Sequence, residues 1–132
     1  MTDYSHLPEN VRPGSRFTIG SYTFSEEEII HFATAWDPQP FHTDKEAAKG
    51  SILGGLCASG WHTISVWMKL QRKYSSETFE AFSQSGKSLP EFGPSPGMSH
   101  VKWMKPVMVD DTITYENEIL SMRQSNSKPG WS

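Results

Sequence analysis

Hydrophobic and polar residues alternate near both ends of the chain, which predicts short β-strands there. Residues 16–20 (RFTIG) alternate in this way, and residues 22–25 (YTFS) form a second extended piece. Residues 112–122 repeat the pattern directly after a turn predicted at residues 110–111, and residues 98–109 are also predicted to be extended. A sheet built from both ends of the sequence is therefore expected.

Between these strands the hydrophobic spacing changes to that of helices. Ser25 is a favourable N-cap and Glu28 stands three residues later, the arrangement of a capping box. Apolar residues then recur at helical spacing as far as Trp36. Pro38 ends this helix, because the residue before a proline is displaced from the α region.

A short helix at 44–49 is predicted next, with Thr43 and Glu46 as its capping pair. The main helix is predicted at 56–74, where apolar side chains cover more than half of the circumference. A helix with so little polar surface must be enclosed, and the predicted strands can enclose it. Residues 75–97, rich in Ser, Gly and Pro, predict a long loop with one helical turn, and residues 126–132 predict a further turn.

Composition limits the classes of function. The chain has 132 residues, which fits one domain, and its net charge of −3 argues against a nucleic-acid-binding surface. The N-terminus has no apolar run, so neither a secretory signal nor a membrane span is expected. Cys57 is the single cysteine and cannot form an intrachain disulfide, which predicts a reducing, cytoplasmic location.

The segment WDPQPFH carries the strongest chemical signal. Asp37 and His42 are joined by a path that contains Pro38 and Pro40, and each proline fixes a φ angle. Such stiffness suits two groups that must handle protons at one geometry. In isolation, Asp37 is also compatible with a helix stop and His42 with a hydrogen-bonded core histidine. A metal site built with Asp44 is disfavoured, because no further His or Cys is placed to complete the ligand set.

The run D-P-Q-P-F-H at 37–42, followed by Gly-Gly-Leu at 54–56 and by W-M-K-P-V at 103–107, resembles the MaoC-like dehydratases. This family includes the hydratase-2 group of (R)-specific enoyl-CoA hydratases. The resemblance covers most of the chain and implies an α+β hot-dog fold, in which an antiparallel β-sheet wraps around a long central α-helix. It implies one domain over 1–132, with one or more C-terminal strands missing, since family members continue further. It also implies a homodimer or a dimer-based higher oligomer.

The resemblance also implies site residues. Asp37 and His42 match the catalytic acid/base pair, and Gly55 matches the glycine whose backbone N–H binds the thioester oxygen. The residues expected to contact the substrate are Trp36, Gly54 and Ser59. Gln39 stands where the family has Asn, and Trp36 stands where a small residue is usual, so Trp36 is expected to narrow the acyl pocket.

The implied reaction is the reversible syn addition of water to a trans-2-enoyl-CoA, giving a 3-hydroxyacyl-CoA. Coenzyme A enters as part of the substrate, and neither a metal nor another cofactor is expected. Lys102 and Lys105 could meet its phosphates, although a solvated strand face is the favoured interpretation. Two alternatives stay open: a non-catalytic acyl-CoA-binding or pairing subunit, and a thioesterase. The thioesterase needs a carboxylate on the central helix, and residues 56–74 contain none.

Overall fold

A computed structural model describes residues 3–87 and 94–123 of the chain. In these residues a two-stranded antiparallel sheet lies against one long helix, and a 3-10 turn at Glu9–Val11 and three shorter α-helices precede that long helix. The strands and helices are β1 (Arg16–Thr23), α1 (Glu26–Trp36), α2 (Pro40–Thr43), α3 (Lys45–Lys49), α4 (Gly60–Gln84) and β2 (Thr112–Glu118).

Strands β1 and β2 pair with each other although they come from opposite ends of the sequence. Arg16 lies opposite Glu118 at one end of the ladder and Thr23 lies opposite Thr112 at the other. The two extended pieces predicted at the start of the chain are thus one continuous strand, with a bulge that precedes Gly20. Gly20 is where β1 meets α4: a β-carbon there would stand 3.2 Å from the side chain of Leu70.

Helix α1 begins as predicted. Ser25 is its N-cap and accepts a hydrogen bond from the backbone N–H of Glu28, which confirms the predicted cap. The Glu28 carboxylate accepts from the Tyr22 hydroxyl, so the reciprocal half of the predicted capping box is replaced. Ile29 and Ala33 are fully buried and hold the helix against the core. Trp36, at the end of the helix, is 76% exposed, so it does not continue this buried face.

Helix α4 differs from the prediction at both ends. It begins at Gly60 rather than at Leu56, because the preceding backbone is extended and bonded elsewhere: Ala58 N–H donates to the carbonyl of Val107 at 2.8 Å. It continues to Gln84, ten residues beyond the predicted end, and replaces the first ten residues of the predicted loop. Gly86, with φ +89°, follows the end of the helix. Residues 88–93 of that loop, and the predicted turn at 126–132, lie outside the described residues.

Two further predictions are corrected. Asp44, not Thr43, caps α3: its carboxylate accepts from the N–H groups of Glu46 and Ala47. Residues 98–109 form no strand, and within this segment only Met108 makes a bridge, to Cys57. The turn predicted at 110–111 is confirmed, with Asp110 at φ +67°.

The core lies between α1, α4 and the sheet. Its buried members are Phe24, Ile29, Ala48, Leu56, Ala58 and Val66. Trp67 donates from its indole N–H to Asn117, and Tyr115 donates to the carbonyl of Thr63, so α4 is tied to β2 by hydrogen bonds as well as by packing. The helix predicted to be enclosed keeps some apolar side chains in solvent, since Trp61 is 56% exposed and Met68 42% exposed.

Candidate active site

Asp37 and His42 are brought together by the turn between α1 and α2. Asp37 is the C-cap of α1, and its backbone N–H still bonds to Ala33. Pro40 is the first residue of α2, where its missing N–H costs nothing, and it starts the single turn that carries His42. As a result Asp37 Oδ2 lies 3.5 Å from His42 Nε2.

Both carboxylate oxygens of Asp37 have partners. Gln39 Nε2 donates to Oδ1 at 2.7 Å, and Ser59 Oγ donates to Oδ2 at 2.7 Å. Burial raises the pKa of this carboxyl, but the two hydrogen bonds and the charge of His42 outweigh burial and hold the pKa below its usual range. Asp37 is therefore an anion at neutral pH.

The ring of His42 is buried and its tautomer is fixed. Nδ1 lies 2.7 Å from the carbonyl oxygen of Cys57. Because a carbonyl can only accept, Nδ1 must carry the hydrogen, and in the neutral ring Nε2 is left as an acceptor. Nε2 faces Asp37 Oδ2, another acceptor, so a group with two hydrogens beside the pair can donate to both atoms.

The pair faces a cleft of about 410 Å³, within the size range of small-molecule sites. One wall is aromatic, since Trp61 and Trp103 meet edge to face with ring centroids 5.7 Å apart. The remaining wall includes Leu53, Cys57, Ala58, Gly60, Thr63, Met104, Lys105, Pro106 and Val107. An acid, an imidazole and an apolar surface thus share one concavity.

A profile of the MaoC-like domain matches residues 10–129 of this sequence. The chain belongs to the MaoC-like family. It is 32% identical to a MaoC-like dehydratase from Rhodospirillum rubrum of known structure, over 92% of this chain and 75% of that one, with a TM-score of 0.64. The structure of a monoamine oxidase regulatory protein from Archaeoglobus fulgius matches with 25% identity over the same shares of the two chains, with a TM-score of 0.65.

An uncharacterised protein of Bacillus subtilis (strain 168), YdeM, is 26% identical over 117 residues, which is 89% of this chain and 75% of that protein. The chain spans three quarters of the length of each of these three relatives. With the MaoC-like structures as neighbours, the predicted α+β hot-dog class is confirmed. Membership of this family supports a hydro-lyase type of enzyme.

The other predicted site residues of this MaoC-like chain lie apart from the cleft. Gly55 precedes α4 by five residues, so the prediction that it stands at the start of the central helix is wrong. Gly54, with φ +72°, is exposed in a turn and its N–H bonds to Ser51. Trp36 lines a different concavity, beside Phe32 and His62. Their roles toward substrate stay predictions.

Ser59 is fully buried rather than part of the cleft wall. It was expected to touch substrate, and it touches Asp37 instead. Sequence inspection also missed the carbonyl of Cys57, which a side-chain pattern cannot reveal, and the first residue of α4, Gly60. Trp103 lies in the W-M-K-P-V run that resembles the family, and this run was the one signal in the sequence that could have placed Trp103 at the cleft.

His62 lies outside the cleft. His62, on α4, stacks on Phe32 with ring centroids 4.6 Å apart, so packing explains it, and burial lowers its pKa. In residues 3–87 and 94–123, no three His, Cys, Asp or Glu side chains gather as a metal ion would require. No helix in the same part of the chain has the length and apolar character that crossing a bilayer demands.

Proposed function

We propose that this protein catalyses the reversible syn addition of water to a trans-2-enoyl thioester carried by coenzyme A, giving a 3-hydroxyacyl thioester. The observation that carries the proposal is the pairing of Asp37 Oδ2 with His42 Nε2 at 3.5 Å in one cleft. Two acceptors at this spacing can each take a hydrogen bond from the same water molecule. That is the arrangement needed to orient water for attack on the β-carbon.

The protonation states suggest separate roles for the two groups. Because the pKa of Asp37 is lowered, its carboxylate is a weak base, suited to orienting water and stabilising a neighbouring cation. His42 Nε2, the free acceptor of the neutral ring, is the proposed base. In the proposed step it takes a proton from water while the oxygen bonds to C3, and the electron pair of the double bond moves to the thioester oxygen. The imidazolium then returns a proton to C2, and the enolate collapses to the product.

The enolate needs a fixed hydrogen-bond donor. Gly55 is the family-matched candidate, but Gly60 has the stronger local support. It lines the cleft and is the first residue of α4, where backbone N–H groups point out of the helix. Among the hydrogen bonds of the described residues, none uses its N–H. We therefore propose the Gly60 N–H as the donor, with the Gly55 N–H as the alternative.

The walls of the cleft suit an acyl thioester. Trp61 and Trp103 offer apolar surface for the acyl chain, and Lys105 places a cation at the edge. We propose that Lys105 contacts a phosphate of coenzyme A, and that the coenzyme A part of the substrate lies across the side of the cleft that carries Lys105. Lys102, on the same exposed segment, does not line the cleft and is the weaker candidate.

A thioesterase remains the less favoured enzyme. The full extent of α4 does include Glu77 and Glu80, which the shorter predicted helix lacked. However, residues 63 and 77 are about 21 Å apart at 1.5 Å per helical residue, so these carboxylates are remote from the cleft. The arrangement therefore gives no support to a thioesterase mechanism in which a carboxylate on α4 holds the hydrolytic water.

The test is hydration of crotonyl-CoA, followed as the loss of absorbance of the conjugated thioester. We expect Asp37→Asn and His42→Ala each to lower kcat/KM by at least about 100-fold. Asp44→Asn and His31→Ala are matched controls on exposed positions outside the cleft and should leave the rate within threefold. If both site variants also stay within threefold, the assignment is wrong. Tight binding of crotonyl-CoA by the parent without turnover would favour a non-catalytic acyl-binding subunit.

We further propose that two copies pair in solution. Only His62, Val66 and Phe79 of α4 are buried, while Met68 on the same helix is 42% exposed. A second copy would cover this surface and extend the sheet. Light scattering on the purified protein should give twice the mass of one chain, and a monomer at micromolar concentration would refute the pairing.

A further inference from the structure

We infer that Ser59 is a positioning residue that holds Asp37 as an oriented carboxylate. The inference rests on the proposed function, and it assigns Ser59 a role other than contact with substrate. Ser59 is fully buried and does not line the cleft, so any effect on the reaction must pass through the groups that it contacts.

The hydroxyl of Ser59 has two partners that fix its direction. The backbone N–H of Trp61 donates to Oγ at 3.2 Å, because Ser59 is the N-cap of α4. A hydroxyl has one hydrogen, and an ionised carboxylate can only accept. The hydrogen of Ser59 must therefore go to Asp37 Oδ2, at 2.7 Å.

This bond connects the positive end of a 25-residue helix to the catalytic carboxylate. The helix N-terminus favours negative charge nearby. In addition, the Trp61 N–H that donates to Ser59 Oγ polarises the O–H that Ser59 donates to Asp37. Both effects favour the anionic form of Asp37. Gln39 supports the second oxygen, Oδ1, but Gln39 is exposed whereas Ser59 is buried and less screened by solvent.

The bond also sets geometry. The oxygen that Ser59 holds, Oδ2, is the one 3.5 Å from His42 Nε2. Ser59 and Asp37 are 22 positions apart in sequence, so the bond fixes the turn between α1 and α2 relative to the start of α4. Without it, only the exposed Gln39 would restrain rotation of the carboxylate about its Cβ–Cγ bond, and Oδ2 would no longer be held toward His42.

The expected signature of Ser59→Ala is a fall in kcat of at least about tenfold, the effect of losing one hydrogen bond to a charged group. KM for crotonyl-CoA should change less than threefold, because Ser59 does not touch the cleft. The pKa of Asp37 should rise, since its carboxylate loses a donor that favours the anion. Ser59→Thr retains the hydroxyl and should restore both kcat and the pKa of Asp37.

Loss of the helix cap is a separate effect and needs its own control. Ser25→Ala removes the N-cap of α1, which has the same donor distance of 3.2 Å but no contact with the site. Its kcat and pH profile should match those of the parent. Ser59→Gly keeps a residue that N-cap positions tolerate while removing the hydroxyl, so it should behave as Ser59→Ala does in the assay.

The pKa of Asp37 should also be measured directly, by NMR titration of protein labelled with ¹³C in its aspartate carboxyls. Ser59→Ala and Ser59→Gly should raise this pKa, and Ser59→Thr should keep it near the parent value. An unchanged Asp37 pKa in folded Ser59→Ala protein would overturn the inference. So would an equal loss of kcat in Ser25→Ala. A parent without hydratase activity would refute the proposed function, and the titration would still decide whether Ser59 sets the charge of Asp37.

Discussion

The Nδ1 atom of His42 lies 2.7 Å from the main-chain carbonyl oxygen of Cys57. This bond uses backbone rather than a side chain, so it depends on the extended path of the segment just before α4. It fixes the tautomer of a buried histidine and directs Nε2 toward Asp37. The thiol of the same cysteine is 3.5 Å from Nδ1 and also lines the cleft.

That thiol should be unreactive at neutral pH. Burial raises the pKa of Cys57, and the negative charge of Asp37 raises it further, so the thiolate fraction is small. We expect iodoacetamide to alkylate Cys57 in the folded protein at least roughly tenfold more slowly than in the urea-unfolded chain at pH 7.5. The rate should keep rising with pH above 9. A plateau below pH 8 would indicate a thiolate stabilised by His42 and would contradict the inert role given to the thiol.

The lowered pKa of Asp37 predicts how stability changes with pH. The unfolded chain binds the Asp37 proton more readily than the folded protein does, because the ordinary carboxyl pKa is 3.8 and the folded one is lower. Ionised Asp37 thus stabilises the fold above the unfolded-state pKa, and this contribution is lost as pH falls through the folded-state pKa. Urea unfolding of the parent and of Asp37→Asn should show the largest difference at pH 5–7, shrinking below about pH 4. A difference that grows on acidification would contradict the assigned shift.

Gly60 should be intolerant of a side chain because of Trp103. A β-carbon at residue 60 would stand 2.2 Å from the indole ring, far inside contact distance. We expect Gly60→Ala to reduce the free energy of unfolding by about 1–3 kcal/mol, or to expel the ring and shift tryptophan fluorescence to the red.

The double variant isolates this clash. In the Trp103→Ala background, Gly60→Ala should be neutral or slightly stabilising, since alanine is the better helix former. Gly50→Ala is the matched control: its β-carbon would meet its nearest atom at 3.8 Å, an ordinary contact. An equal cost of Gly60→Ala with and without the indole would show that Trp103 does not lie over residue 60.

Tyr115 offers a test of the packing between β2 and α4. Its hydroxyl donates to the carbonyl of Thr63 at 2.9 Å, and burial raises the pKa of Tyr115 to about 12. A raised pKa means that this residue's contribution to stability is complete below pH 10, the ordinary value, and is lost as pH rises to about 12. Tyr115→Phe should cost about 0.5–1.5 kcal/mol at pH 7 and reduce the alkaline loss of stability. Ultraviolet titration that shows all four tyrosines ionising near pH 10 would contradict this placement.

Local signals in the sequence gave reliable predictions. Ser25 and Glu28 specify the start of α1 within one turn of helix, and no distant contact changes that outcome. The closeness of Asp37 and His42 was likewise predictable, because the four residues between them include two prolines and leave the chain few conformations.

Features decided by contacts between distant segments were not predictable. The start of α4 depends on the hydrogen bond from the Ala58 N–H to the carbonyl of Val107. Composition alone would favour a helix for the residues just before this bond, so the sequence predicted the start too early. The end of α4 depends on Phe79, which is buried and continues the helix through a Ser-rich stretch. The hydrogen bond from Ser59 to Asp37 joins residues 22 positions apart, so no local sequence pattern could predict it.

The most direct test of the central claim is the stereochemistry of hydration in ²H₂O. If Asp37 and His42 serve one water on one face of the substrate, crotonyl-CoA should yield 3-hydroxybutyryl-CoA with a single deuterium at C2, placed syn to the new hydroxyl. Proton coupling constants of the product distinguish the two diastereomers. Anti addition, or a mixture of diastereomers formed at the rate of turnover, would contradict an acid/base pair acting from one side.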